Sequence, residues 1–131
     1  MATVPLLSDS EASPEARAVF DDIRATRGSD FINNFWRALA HDPALLRATW
    51  DRLKSVMGPG TIDPLTKELI YIAVSVANGC EYCAHSHTAA ARAKGMTPEQ
   101  HGELLSVIGM AAQTNALATA LQVPVDDTFK V

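Results

Sequence analysis

The chain is sparing in the features that would place it elsewhere. Its 11 basic residues never occur three in a row, and with a net charge of −4 and a pI near 5.4 it lacks the clustered basic face expected of a nucleic-acid binder. No stretch approaches the roughly 20 apolar residues of a membrane span. The longest mostly apolar segment runs only from Leu69 to Ala77. The N-terminus, MATVPLLSDSEASPE, has neither a basic start nor an apolar signal core, which points to a cytoplasmic protein. Strand signals are nearly absent. Cysteine is scarce, with two residues in 131, and a reducing cytosol disfavours purely structural disulfides.

What the chain has is helix punctuation. The length is that of one ordinary domain, and the apolar fraction of 47% is globular. Ser13-Pro14, Asp42-Pro43, Asp63-Pro64 and Thr97-Pro98 each place a capping side chain before a proline at the first helical position. They predict helices from 14 to about 27, from 43 to about 57, from 64 to 77 and from 98 to about 108. Asp30 can cap a further helix through Phe31, Phe35, Trp36 and Leu39. A fifth in chain order begins near Cys80 and stops at Gly95, and a seventh covers 111–121. The expected fold is all-α: a single-domain bundle of about six to seven helices over 1–131, with a loosely held tail from about Val125. The segment 64–77 is apolar on nearly every side after Glu68. A chain this small has few helices to surround it, so a homo-oligomer is expected.

The densest reactive cluster is Gly79-Cys80-Glu81-Tyr82-Cys83-Ala84-His85-Ser86-His87. At about 100° per residue, Cys83 and His87 lie within about 60° and 20° of Cys80 around the axis, while Tyr82 and His85 point elsewhere. Free N–H groups and the helix dipole at a helix start favour a thiolate. A second sulfur one turn away can resolve an oxidised first sulfur as a disulfide. His87 can move a proton near neutral pH. Glu68 sits in an otherwise apolar helix, where burial would raise its pKa towards the range of a general base. The dipole argument alone makes Cys80 the attacking thiol.

Glu68, Cys80, Cys83 and His87 follow a Glu-x11-Cys-x2-Cys-x3-His pattern that resembles the alkylhydroperoxidase D family, within the carboxymuconolactone decarboxylase-like superfamily. The segments NFWRALAHDPALLRATW and PLTKELIYIAVSVANGC look like that family's helical hairpin and catalytic helix pair. The resemblance implies an all-α, oligomeric thiol peroxidase or thiol–disulfide oxidoreductase acting on hydroperoxides. It implies that Cys83 attacks, Cys80 resolves, and Glu68 and His87 pass protons. Electrons would come from a lipoyl group or a thioredoxin-like dithiol protein, and the assembly would be a trimer or hexamer. One departure is Tyr82, where the founding peroxidase carries a histidine, and it bears on peroxidase strength.

No metal, flavin or haem is required by these residues. A structural zinc site needs four ligands, and the chain has no second cysteine pair, only the distant His41 and His101. Those histidines and His85 read as surface or core residues, and Trp36 and Trp50 as packing or interface residues. The rival classes are a lactone decarboxylase of the same superfamily, which does not need two cysteines, and a redox-sensing helical oligomer without turnover.

Overall fold

The computed structural model describes residues 1–130, and among them every regular element is helical. The chain divides into two compact units, Met1–Gly58 and Pro59–Val131.

The first unit holds α1 (Pro14–Arg27), α2 (Asn34–Leu39) and α3 (Pro43–Met57). Ser13 Oγ accepts from the Ala16 N–H at 3.1 Å, and Asp42 Oδ1 accepts from Leu45 at 3.0 Å, so both proline-led starts are capped as the sequence predicts. Gly28 ends α1 in the left-handed region at φ 63° and returns its N–H to the Arg24 carbonyl. Val19, Phe20 and Ile23 of α1, with Leu46 and Trp50 of α3, form a core that Ile32 and Trp36 complete. Asp22 ties the unit together, accepting from Arg47, from Trp50 Nε1 and from Lys54 at 2.8–3.0 Å. The helix expected from Asp30 starts later, after Asn33. The Asp30 carbonyl is taken by Arg24 Nε, and Ile32 is drawn into the core, so this stretch approaches as a turn.

The second unit holds α4 (Pro64–Ala77), α5 (Glu81–Ala93) and α6 (Pro98–Ala120), followed by a short 3-10 turn at Asp127–Phe129. Asp63 caps α4 through the Thr66 N–H, and a capping box of Thr97 with Gln100 opens α6. Gly79, at φ 67°, makes the tight reversal from α4 into α5. Ile72, Ala91 and Met96 are the core, flanked by Leu65, Leu69, Leu104 and Ile108.

One expectation changes here. The predicted sixth and seventh helices are one continuous α6, because Gly109 stays in the helix. A lone helical glycine costs only about 1 kcal/mol against alanine, and no proline intervenes. Helix α4 buries one stripe within its unit, in keeping with a chain that has few helices to surround it. Its buried stripe is Glu68, Ile72 and Ser75, while Ile70, Val74 and Val76 are exposed.

Candidate functional site

The end of α4 and the start of α5 bring the chemistry together. Cys80 is the N-cap of α5, with its Sγ accepting from the Cys83 N–H at 3.3 Å. An ordinary cap uses oxygen, and a sulfur in that place sits against the unpaired N–H groups of the first turn. Cys80 and Cys83 are joined as a disulfide, with their Cα atoms 5.4 Å apart. Cys80 also borders an open cleft of about 250 Å³ lined by Ser75, Val76, Gly79, Glu81 and Ala84.

One turn beyond Cys83, His87 projects towards α4. Its Nδ1 meets Glu68 Oε2 at 2.7 Å, and the other carboxylate oxygen, Oε1, accepts from Lys94 Nζ at 2.9 Å. The Glu68 side chain is only 5% exposed, whereas that of Lys94 is 38% exposed. The Tyr71 ring stacks on His87 with centroids 3.6 Å apart. In this disulfide-linked form His87 makes no hydrogen bond to either sulfur among the described residues.

Burial alone would raise the Glu68 carboxyl's pKa, as the sequence suggested. The bonds from His87 and Lys94 outweigh burial, and the carboxyl is held below its usual range instead. The expectation of a carboxyl tuned upwards as a general base is therefore corrected: Glu68 is ionised at neutral pH. An ionised carboxylate can only accept, so Nδ1 of His87 is the donor. A neutral His87 ring then carries its proton on Nδ1, and Nε2 is the bare nitrogen.

The four residues singled out in the sequence thus fall into two bonded pairs on the α4–α5 unit: Cys80 with Cys83, and Glu68 with His87. His85 is exposed, as its helical position required. Two participants were not foreseen. Lys94 follows His87 by seven residues, two turns on the same face, which is a readable signal. Tyr71 follows Glu68 by three, but its stacking on a ring sixteen residues later is a tertiary fact with no signal in the pattern.

The sequence of residues 43–126 matches the Carboxymuconolactone decarboxylase family, which is more than half of the chain. The chain belongs to that family. Its relatives within the family include "Alkyl hydroperoxide reductase AhpD" of Maricaulis maris, 37% identical over 123 residues, covering 88% of this chain and 68% of that protein. A protein of the same name from Gluconacetobacter diazotrophicus is 30% identical over 118 residues, covering 86% of this chain and 60% of its own length. A 1.95 Å crystal structure of the alkylhydroperoxidase AhpD core from Rhodospirillum rubrum superposes with a TM-score of 0.97 at 69% identity, covering 100% of this chain and 98% of that one. The all-α, AhpD-like fold is therefore shown. The chain spans about 60% of the Gluconacetobacter protein and 39% of another such relative, from Mycobacteroides abscessus.

Proposed function

We propose that this family member is a thiol peroxidase that reduces small organic hydroperoxides through Cys80 and Cys83. The observation that carries the reading is the Cys80–Cys83 disulfide on the same helix as a histidine oriented by a buried carboxylate. In the reduced protein His87 Nε2 takes the Cys83 proton. The Cys83 thiolate attacks the terminal peroxide oxygen, the O–O bond breaks, and the alkoxide leaves as alcohol after receiving that proton. Cys83 becomes a sulfenic acid. Cys80 gives up its proton at the helix start, attacks the Cys83 sulfur as a thiolate and displaces hydroxide, which takes up that proton and leaves as water. Two electrons have passed from two thiols to the peroxide. A dithiol, either a lipoyl group or a thioredoxin-like protein, returns them and is itself oxidised to a disulfide. The roles of the two sulfurs follow the family pattern and the one-turn spacing of His87 from Cys83.

We further propose that the whole chain acts as one catalytic domain in a cytoplasmic homo-oligomer, a trimer or hexamer. Every residue from Gly109 to Lys130 is exposed, and no charged residue lies between Glu103 and Asp126. A long apolar, uncharged, uncovered helix half is the surface a further copy would cover. No described helix is long and apolar enough to cross a membrane.

The deciding experiment is stopped-flow loss of free thiol after mixing reduced protein with cumene hydroperoxide, with intact mass measured afterwards. The expected product is lighter than the reduced protein by two hydrogens. Thiols that persist under hydroperoxide would end the peroxidase reading and turn attention to lactone decarboxylation.

A further inference from the structure

The Lys94–Glu68 ion pair has no place in the chemistry just described. Glu68 is the only carboxylate in the buried stripe of α4, and both its oxygens are engaged by cationic or ring N–H donors from one helix, two turns apart. We propose that Lys94 is a positioning residue for the thiol chemistry, occupying Oε1 so that Oε2 alone meets His87 Nδ1–H and the ring is held with Nε2 bare. The inference rests on the thiol-peroxidase reading but is testable apart from it.

The physical argument has two parts. A carboxylate with one bonded oxygen can rotate about its terminal torsion, and a histidine bonded to it follows. Anchoring the second oxygen removes that freedom, while the stacked Tyr71 ring removes tilt. The second part is charge. Glu68 serves two partners, so Lys94 withholds part of its field from His87. Without Lys94 a positive charge beside the Glu68–His87 pair is gone, and the whole field of the carboxylate falls on the ring. The loss of that positive charge moves the thiol chemistry to higher pH.

The groups facing this pair are few. Beside Glu68 and His87 themselves they are Lys94 at the end of α5 and Tyr71 from α4. Helix α6 turns Leu104 and Ile108 towards the core. Its Glu99, His101 and Glu103 form no bond to Glu68, His87 or Lys94 among the described residues.

The test uses full-length protein reduced with dithiothreitol and desalted, with Lys94→Met, Lys94→Gln and Lys94→Arg. Two rates are followed from pH 5 to pH 9: thiol loss to cumene hydroperoxide, and alkylation of the reduced thiols by iodoacetamide. In the two neutral variants the half-maximal pH of both rates should rise by about half to one unit. That is the size expected from removing one partly exposed charge a carboxylate's width from the ring. At pH 9 the rates should lie within about threefold of the parent, and Lys94→Arg should keep most of the parent profile. Superposable pH profiles for parent and neutral variants would overturn the proposal. So would an equal shift in a Glu68→Gln background, since the charge would then act on sulfur directly and not through Glu68. If the parent does not react with hydroperoxide, the peroxidase reading falls, and the alkylation profile still decides the role of Lys94. Two neutral variants and a thermal melt of each separate misfolding from mispositioning.

Discussion

Replacing Glu68 by glutamine keeps the shape of the side chain and removes its charge. The amide then presents one acceptor and one donor where two donors arrive, the His87 Nδ1–H and the Lys94 ammonium. If the amide oxygen turns to Lys94, its NH2 faces Nδ1, and the ring must move its proton to Nε2, which ends its use as a base. If the oxygen turns to His87, the bond survives without charge assistance and Lys94 swings to water. A charge-assisted bond to a buried group contributes about 1.5–3 kcal/mol. The Lys94 bond is discounted to below about 1 kcal/mol because that side chain is 38% exposed. Relief from burying a carboxylate offsets part of the loss. The net destabilisation is about 1–3 kcal/mol, which for a chain of this size lowers the melting temperature by roughly 5–15 °C.

Rate and pH separate the roles. Thiol loss to hydroperoxide should slow on the order of 100-fold near neutral pH, the low end for general acid–base catalysis. The deficit should shrink at high pH, where the thiol ionises unaided. The stability difference should behave oppositely at the acid end. Burial raises the Glu68 carboxyl pKa, but the His87 and Lys94 bonds hold it below its usual value of 4.5. A depressed carboxyl favours the folded state above that usual value and loses this advantage as the pH falls through the folded-state pKa. The gap in melting temperature between parent and Glu68→Gln should therefore narrow below about pH 4.5. An unchanged rate at every pH, with a lowered melting temperature, would remove Glu68 from the chemistry and leave it a structural counter-charge.

Three further outcomes follow from the same geometry. In Cys80→Ser, hydroperoxide should leave a persistent sulfenic acid on Cys83, trapped by dimedone, while Cys83→Ser should react slowly; the reverse pattern would give the attack to Cys80, as the N-cap position alone favours. Light scattering at micromolar concentration should give a multiple of the 14.1 kDa chain mass, and a monomer mass would refute assembly through the uncharged half of α6. Asp22→Asn should lower stability at neutral pH by about 1 kcal/mol, discounted because the side chain is 30% exposed. Lys54 and then Trp50 hold the Asp22 carboxyl at about 2, so in melts at a series of pH values the difference should fade between about pH 4 and pH 2.

The helix boundaries were legible wherever a local cap settles them. All four proline-led starts stand where the sequence places them, because cap, proline and first-turn N–H lie within four residues of each other. The misses have tertiary causes. Asp30 carries a capping side chain, but Arg24 claims its carbonyl and the core claims Ile32. The break expected between about 108 and 111 does not occur, since Gly109 continues the helix at small cost. In the site, the shared face of Cys80, Cys83 and His87 was a matter of helical arithmetic. The charge state of Glu68 was not, because periodicity shows that a carboxylate is buried without showing what meets it. Two donors from α5, nineteen and twenty-six residues away, reverse the direction that burial alone would give.

The order of groups along α5 gives this arrangement its economy. Cys80, Cys83, His87 and Lys94 occupy one face from the first turn to the C-cap. The helix dipole favours negative charge at the start, where the thiolates would form, and positive charge at the end, where Lys94 stands. Lys94 would therefore be favoured at that C-terminus even with no part in the chemistry. Its ammonium nevertheless reaches across to α4 and meets the one carboxylate in that helix's buried stripe, which also meets His87. A dipole-stabilising lysine needs no such partner, and its loss would lower the melting temperature without moving a pH profile. A lysine that acts through Glu68 moves the profile even where the melting temperature barely changes. Both effects can coexist in one side chain, so the displacement of the pH profile, and its disappearance when Glu68 is already neutral, is the measurement that tells anchoring from capping.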